Sequence, residues 1–275
     1  MSIPSHMVFI LVMLLFVFGA SIGSFLCALA SRLDPKRRET NLKQVFLSRS
    51  HCDSCMKQLS NWELIPVFSY LVQKGKCTKC KYKIPASFFI VELLTGIITV
   101  LFFLKWFSNP LTPLLIIFFK IGIAYIFIYF AYYDYLYWEI PLNTVIIISV
   151  SVLLYLLGGY IFSKIAFTEF IYQLGAGFIG MGAIALVILA SKGKGLGWGD
   201  VWIFGLVGFL LGIKGLVEVF FISVFFGAAV GILKIALKSE QLKNNLIQFV
   251  PFIALGVVIS TMLEGKIFMW LFPVL

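Results

Sequence analysis

The chain has few charged residues, and acidic ones are especially scarce. Of its 275 residues, 12% are charged and 61% are hydrophobic, whereas soluble globular proteins carry about 25% charged residues. The 22 Lys and Arg outnumber the 12 Asp and Glu, which gives a net charge of +10. A chain this apolar cannot cover a folded surface with polar groups in water. This composition excludes a soluble globular protein and favours one embedded in lipid.

Long uncharged runs predict eight membrane-spanning helices. The first, Met7 to Ala30, has 24 residues without a charged side chain, enough at 1.5 Å per residue to cross a hydrocarbon core of about 30 Å. No Lys or Arg precedes it, so we interpret it as an anchor and not as a cleaved signal peptide. The sixth span is short, which favours a reentrant or broken helix there. The other predicted spans are 86–104, 113–133, 142–162, 171–190, 201–213, 216–237 and 250–263.

The cations cluster in one polar segment. Residues 31–87 hold 12 Lys and Arg against 4 Asp and Glu, a net charge of +8. Because Lys and Arg are retained in the cytoplasm, this loop is expected inside and the amino terminus outside. With eight spans, 17 cations fall on the inner side and 4 on the outer side. Charge confined to a loop beside the membrane indicates binding to anionic lipid headgroups and not to nucleic acid.

The expected fold is therefore an all-α polytopic membrane protein with about eight transmembrane helices. Its predicted parts are the first transmembrane helix (1–30), a cytoplasmic zinc-binding loop domain (31–85) and a transmembrane bundle (86–275). Small residues four apart let membrane helices approach closely, and such glycine pairs predict a compact bundle. The pairs are Gly19–Gly23, Gly208–Gly212 and Gly227–Gly231.

Four of the five cysteines lie in the polar loop as two Cys-x-x-Cys pairs. Cys52 and Cys55 form the first pair and Cys77 and Cys80 the second, with 21 residues between the pairs. This spacing lets both thiolates of a pair reach one ion near 2.3 Å, and four thiolates close a tetrahedron without an open position. We therefore predict a structural zinc site that supplies folding energy to a loop with little core of its own. Disulfides are the alternative, which a reducing cytoplasm disfavours.

Two acidic residues, Asp134 and Asp200, are placed at the ends of predicted spans. Two spans separate them, so both are expected at the cytoplasmic face, where they could meet. Two carboxyl groups in one site do not both ionise easily, so one keeps a proton while the other activates water, as in aspartic proteases. Gly197 and Gly199, just before Asp200, allow a tight bend and close passage of an extended substrate.

Each acid also has a purely structural interpretation. Asp200 follows a glycine and precedes an apolar helix, which suits a helix N-cap, and Asp134 would be an interfacial acid solvated by water. A transporter in which the two acids relay ions is a further alternative. The lack of an inverted internal repeat argues against a transporter.

Seven segments, taken in order, resemble the motifs of type IV prepilin peptidases. Zinc pairs followed by two spaced aspartates on a polytopic chain form a specific combination, although each piece alone is a weak signal. The segments are FGASIGSFLCALASRL (18–33), RSHCDSC (49–55), IPVFSYLVQKGKCTKC (65–80), IVELLTG (90–96), 134–141, GWGD (197–200) and FVPFIALG (249–256).

The resemblance implies an aspartic endopeptidase of the Gly-x-Gly-Asp class in the bacterial cytoplasmic membrane. Such enzymes cleave the basic leader from type IV prepilins or pseudopilins. By similarity, Asp134 and Asp200 are catalytic and the four paired cysteines bind the metal. Many relatives then methylate the new amino terminus with S-adenosylmethionine, so a membrane methyltransferase without protease activity is an alternative. Glu92 matches a recurring glutamate; it is expected either to hold substrate or the methyl donor, or to face the loop.

Overall fold

The computed structural model describes nine helices and one 3₁₀ turn, in residues 5–35, 45, 48–107, 113–162, 165–193, 196–237, 247–264 and 266–271. Part of the predicted loop, residues 36–44 and 46–47, lies outside these ranges. The 3₁₀ turn is Asn61–Leu64. The helices are α1 Ser5–Arg32, α2 Phe68–Val72, α3 Ala86–Phe107, α4 Leu114–Tyr137, α5 Leu142–Ile161, α6 Phe167–Ala190, α7 Trp198–Ala236, α8 Val250–Leu263 and α9 Lys266–Leu271.

The prediction of an all-helical membrane protein is confirmed. Among the described residues there are six helices long and apolar enough to cross a membrane, and α8 is a shorter apolar helix. The only β-structure in these ranges consists of isolated bridges, both in the polar loop. By internal contacts the chain forms two compact units, residues 1–132 and 133–275, described separately below. The predicted domain boundaries at residues 30 and 85 stay a prediction.

In the first unit, α1 packs closely on α3 through the predicted glycine pair. A methyl group added at Gly23 would collide with the hydroxyl of Thr95, and one added at Gly19 with the hydroxyl of Thr99. Neither position therefore has room for a side chain. This contact is the small-residue packing that brings membrane helices together when lipid supplies no hydrophobic drive.

In the second unit, α7 is a helical hairpin. Its 39 residues would extend about 58 Å if straight, but Gly212 has φ +66° and ψ −173° and breaks the helix. The rings of Phe204 and Phe220 are 6.2 Å apart, whereas 16 residues of straight helix would separate them by about 24 Å. The two arms, 198–211 and 213–236, correspond to the predicted sixth and seventh spans. Gly212 thus forms a turn and not the predicted close helix contact.

Candidate active site and metal centre

Asp134 and Asp200, both in the second unit, line one cavity. Asp134 lies in the last turn of α4 and Asp200 in the first turn of α7. Both are buried, with 7% and 6% of their surface exposed, and the two carboxyl groups are close enough to interact electrostatically. The structure thus brings together the two acids that the parity of the spans predicted to share a face. Their catalytic roles stay a prediction.

The cavity has a volume of about 330 Å³ and a mixed polar and apolar lining. A site of this size accommodates a short stretch of peptide or a small ligand. Sequence reasoning identified four of its residues, the two aspartates with Gly197 and Gly199. The other lining residues are Trp138, Glu139, Ile140, Gly193, Leu196, Ile247, Gln248, Phe249 and Val250.

The Asp200 carboxylate is held by the backbone of its own helix start. Its Oδ2 accepts a hydrogen bond from the Gly197 N–H at 2.9 Å, and its N–H donates to the Gly197 carbonyl at 3.0 Å. This reciprocal pair satisfies backbone groups that a helix start otherwise leaves unpaired. The predicted N-cap position is wrong, because the helix begins two residues earlier, at Trp198; Asp200 instead lies in the first turn, and one of its carboxylate oxygens is held by the Gly197 N–H.

Asp134 is held through its backbone, and one of its carboxyl oxygens has no protein partner. Its carbonyl accepts hydrogen bonds from the Trp138 N–H at 2.8 Å and from Gln248 Nε2 at 2.5 Å. Within the described ranges, its Oδ2 is buried without a hydrogen-bond partner. Buried polar atoms are nearly always paired, so this oxygen is expected to bind water or a substrate group. The pair can act chemically as a general acid and a general base.

Gly199 allows the two acid-bearing segments to meet. A methyl group on Gly199 would lie 2.6 Å from Ile140 Cδ1 and 3.0 Å from Ile140 Cβ, closer than packed carbon atoms approach. Ile140 belongs to the turn after α4, which Trp138 begins with a left-handed backbone at φ +56°. The absence of a side chain at Gly199 therefore lets this turn lie against the start of α7.

Gln248 is the site residue that sequence reasoning missed. It is separated from Asp134 by 114 positions along the chain, and nothing in its apolar surroundings marks it as a partner of an acid. Its position directly before the FVPFIALG segment is the one signal that could have identified it. Its amide ties the end of α4 to the start of α8.

The four loop cysteines, in the first unit, come together as one cluster. Their sulfur atoms all lie within 4.8 Å of one another, with Cys52 and Cys80 at 3.7 Å and Cys55 and Cys77 at 4.0 Å. A tetrahedron with metal–sulfur bonds near 2.3 Å has edges of about 3.8 Å. All four are free thiols. The arrangement therefore fits one tetrahedral metal ion and does not support the disulfide alternative.

Two similar turns carry the cysteines. The Cys52 N–H donates to the Lys57 carbonyl, and the Cys77 N–H donates to the Tyr82 carbonyl, both at 2.9 Å. Each turn contains a residue with a left-handed backbone just after its second cysteine. The N–H groups of Cys80 and Lys79 lower the pKa of Cys77. For Cys55 the Lys57 N–H lowers the pKa, but burial and the neighbouring thiols outweigh it and raise the pKa. A bound metal ion would favour the ionised form of all four thiols.

A buried carboxylate, Glu63, joins the two cysteine turns. Lys57, directly after the first turn, donates to Glu63 Oε1 at 2.9 Å. Thr78, inside the second turn, donates to the same oxygen at 2.5 Å, and the Ser60 N–H donates to Oε2 at 2.8 Å. Burial raises the pKa of Glu63, but these hydrogen bonds outweigh it and lower the pKa to about 2.

Replacing Glu63 by Gln is expected to loosen the metal loop. A neutral amide at this position would leave the Lys57 ammonium without its counter-ion, a change that typically costs more than the pair itself contributes. Amide hydrogen exchange in residues 52–80 at pH 7 should become roughly tenfold faster, since tenfold corresponds to about 1.4 kcal/mol. Because the pKa is lowered, the carboxylate's stabilising effect is complete above about pH 4.5 and is lost as the pH falls towards 2. Asp53→Asn, on an exposed residue, is the control and should leave the exchange rates unchanged. Unchanged exchange in Glu63→Gln as well would contradict the conclusion that Glu63 holds the two cysteine turns together.

Glu92 faces the loop and is bonded to it. Its Oε2 accepts a hydrogen bond from the Val67 N–H at 2.7 Å, and the Ser24 side chain on α1 also bonds to its carboxyl group. Only 8% of Glu92 is exposed. These contacts leave little of the carboxyl group for a ligand, which favours the loop-facing interpretation over a substrate or methyl-donor site. Cys27 is fully buried on α1, as expected for a packing residue.

Two protein families match the chain in succession. Residues 17–106 match the bacterial peptidase A24 N-terminal domain, and residues 121–232 match the type IV leader peptidase family. The first match contains all four clustered cysteines and Glu92, and the second contains Asp134 and Asp200. The two matches thus divide the candidate metal centre from the candidate active site.

Relatives named prepilin leader peptidase/N-methyltransferase are similar over most of the chain. The protein of Bacillus subtilis (strain 168) is 29% identical over 249 residues, which cover 90% of this chain and 92% of that protein. The protein of Aeromonas salmonicida (strain A449) is 26% identical over 279 residues, 94% of this chain and 92% of that protein. No solved structure is significantly similar to the chain. The chain belongs to the type IV leader peptidase family.

Proposed function

We propose that this protein is a membrane aspartic endopeptidase that removes the basic leader from type IV prepilins or pseudopilins. The observation that carries the proposal is the cavity lined by both Asp134 and Asp200, with the orphan Oδ2 of Asp134 buried beside it. The family and the names of the relatives support the same activity. We place the protein in the bacterial cytoplasmic membrane, with its amino terminus outside and its metal loop in the cytoplasm.

In the proposed mechanism, a water molecule between the two acids attacks the scissile carbonyl. The ionised aspartate takes a proton from the water, and the protonated aspartate donates one to the carbonyl oxygen. Collapse of the tetrahedral intermediate then transfers a proton to the leaving nitrogen. The Gly197 N–H holds the Asp200 carboxylate and Gln248 holds the Asp134 backbone, so both acids are oriented before substrate binds, which lowers the entropic part of the barrier.

We further propose zinc as the ion in the cysteine cluster, with a structural role. Four thiolates leave no open position, and closed tetrahedral sulfur sites typically hold zinc. A closed site offers no position for water or substrate, so no step of peptide hydrolysis is assigned to the metal. Its function is to fold the loop.

N-methylation of the new amino terminus, with S-adenosylmethionine as donor, is the second proposed activity. The names of the relatives support it, whereas no described residue is assigned to the methyl donor. Glu92 is a weak candidate for a substrate or methyl-donor site, because its carboxyl group already accepts a hydrogen bond from the Val67 N–H. An ion-relaying transporter is not favoured, since the family is one of leader peptidases.

The proposed function is tested with purified protein in proteoliposomes and a prepilin that carries its leader. We expect the leader to be released at one bond, identified by mass spectrometry of the mature product. Adding S-adenosylmethionine should then place one methyl group on the new amino terminus. Methylation of a pre-cleaved substrate without any cleavage of the precursor would instead support the methyltransferase alternative.

Adding a methyl group at Gly199 is expected to impair cleavage strongly. In Gly199→Ala the new Cβ collides with Ile140, so the start of α7 and the turn after α4 must separate. Displacing catalytic groups by about 1 Å can cost roughly 100-fold in rate, and we expect a loss of that order in kcat/KM. Gly182→Ala is the matched control, because nothing lies within 4 Å of a methyl group there.

A second substitution checks that the collision is the cause. Ile140→Ala removes Cδ1, the atom nearest to the new methyl group, and keeps Cβ at 3.0 Å, so the double variant should recover part of the lost activity. A Gly199→Ala variant as active as Gly182→Ala would contradict the packing argument. A loss that Ile140→Ala cannot relieve would indicate that Gly199 acts through its backbone conformation.

A further inference from the structure

We propose that residues 61–72, the interfacial segment, insert into the membrane surface on the side of the metal loop, with anionic phospholipid as the partner. The segment contains the 3₁₀ turn Asn61–Leu64 and helix α2, Phe68–Val72. The sequence predicts that the loop binds anionic headgroups, and the inference names the surface that makes this contact. It concerns lipid only and does not depend on peptide cleavage.

Two contacts fix the depth of the interfacial segment in the first unit. The Val67 N–H donates to Glu92, which is six residues into α3 and therefore about 9 Å along the helix axis from its start. The ring of Tyr70, on α2, stacks on Phe89 of α3 with centroids 5.1 Å apart. Helix α2 thus lies beside the first turns of a membrane-spanning helix, at the depth of the lipid headgroups and not above them.

The backbone of Val67 is strained, and its hydrogen bond to Glu92 holds the start of α2 in place. Val67 has φ +64° and ψ −53°, a conformation that a β-branched residue rarely adopts. The hydrogen bond from its N–H to the buried Glu92 carboxylate compensates for such strain. The chain therefore enters α2 at a depth set by Glu92.

The interfacial segment exposes large apolar side chains at this depth. Phe68 is 57% exposed and Leu71 is 58% exposed, so α2 turns its apolar side chains away from the protein. Six exposed apolar side chains within the twelve residues of the segment are unusual on a surface facing water and typical of a membrane contact, where Trp and Phe enter the headgroup boundary. The exposed apolar residues are Trp62, Leu64, Ile65, Phe68, Leu71 and Val72.

The lysines that follow the segment favour lipids with anionic headgroups. Residues 64–91 contain five Lys and no Asp or Glu, and the five lysines come directly after α2, between residues 74 and 83. An apolar segment followed by a run of cations is complementary to a leaflet with anionic headgroups. Anionic phospholipid offers both an apolar phase for the segment and negative charge for the lysines, so lipid is the favoured occupant.

The test uses photo-crosslinking in the full chain. p-Benzoylphenylalanine is placed singly at Phe68, Leu71 or Met56, and each protein is reconstituted in vesicles of phosphatidylcholine with phosphatidylglycerol. Met56 is the matched control, because it is an exposed apolar residue of the same loop that lies outside the interfacial segment and outside the lysine run. We expect at least fivefold more lipid adduct at positions 68 and 71 than at 56. Phosphatidylglycerol should be enriched at least twofold among the adducts over its share of the bilayer.

Three outcomes would overturn the inference. They are equal adduct at all three positions, adducts to protein in place of lipid at positions 68 and 71, and adducts that match the bilayer composition. No substrate is present, so the result is independent of peptidase activity. Trp62 gives a second measurement without an inserted probe. Its own emission is the difference in fluorescence between the unmodified protein and Trp62→Phe. Brominated lipids should quench this emission at least twofold. An unquenched Trp62 signal would likewise overturn the inference.

Discussion

Asp134→Asn and Asp200→Asn should each lower kcat/KM for leader cleavage by about 1000-fold or more. General acid–base catalysis by a single group typically contributes 10² to 10⁴ in rate, and an amide can neither take up nor donate the required proton. The substitutions keep the shape of both side chains, so the cavity should persist. Thermal unfolding of the purified variants should therefore be close to that of the unmodified protein, while activity is lost.

The control for this pair is Glu169→Gln, the same chemical change on an exposed residue in the first turn of α6. It should leave cleavage within about twofold, as for surface changes away from the site. If either aspartate variant retained more than a tenth of the activity, the two-acid mechanism would be wrong. Glu139, which lines the same cavity, would then be the next acid to examine.

The proximity of Asp134 and Asp200 was predictable because span parity is a property of the sequence. Each apolar run reverses the direction of the chain, so two intervening spans return Asp200 to the face of Asp134. The argument needs only the number of spans and not their packing. The four cysteines were predictable for a similar reason, since two-residue spacing fixes the local turn and one ion requires both turns.

The partners of these residues were not predictable, because they are chemically unremarkable and follow no regular spacing. Gln248 donates a hydrogen bond to the backbone carbonyl of Asp134. Every residue has such a carbonyl, so the sequence does not show which one a side chain will bond. Glu63 joins the two cysteine turns, but its spacing from Lys57 and Thr78 follows no helical or strand period. Such contacts depend on the three-dimensional path of the loop.

Glu218 illustrates the same difficulty inside the membrane-spanning region. It is fully buried in the second arm of α7, where Ser260 donates to Oε2 at 2.6 Å and the Phe268 N–H donates to Oε1 at 2.8 Å. A carboxyl group in an apolar run is costly without partners. Their identity depends on how α8 and α9 pack on the hairpin, which periodicity does not determine.

Removing the metal should unfold the cysteine loop and leave the helices of the bundle intact. Among the described loop residues 48–85, the buried ones are few and none is a large apolar residue: Cys52, Glu63, Ser69, Gly75 and Cys77. A loop without an apolar core depends on its metal, and apparent binding energies of structural zinc are about 10 to 16 kcal/mol in small domains. We expect one zinc ion per chain, and at least a tenfold increase in trypsin cleavage within residues 48–85 after chelation.

Cysteine substitutions separate the effect of the metal from that of the chelator. Cys52→Ala should lose the zinc and become as sensitive to trypsin as the chelated protein, because three thiolates no longer close the tetrahedron. Cys27→Ala is the matched control, since Cys27 is buried on α1 outside the cluster; it should keep both the zinc and the protease resistance. Far-UV circular dichroism should change little in either variant, because most of the helical residues lie outside the loop. A metal-free loop that resists trypsin as well as the zinc-bound one would show that the Glu63 hydrogen bonds, and not the ion, hold the two cysteine turns together.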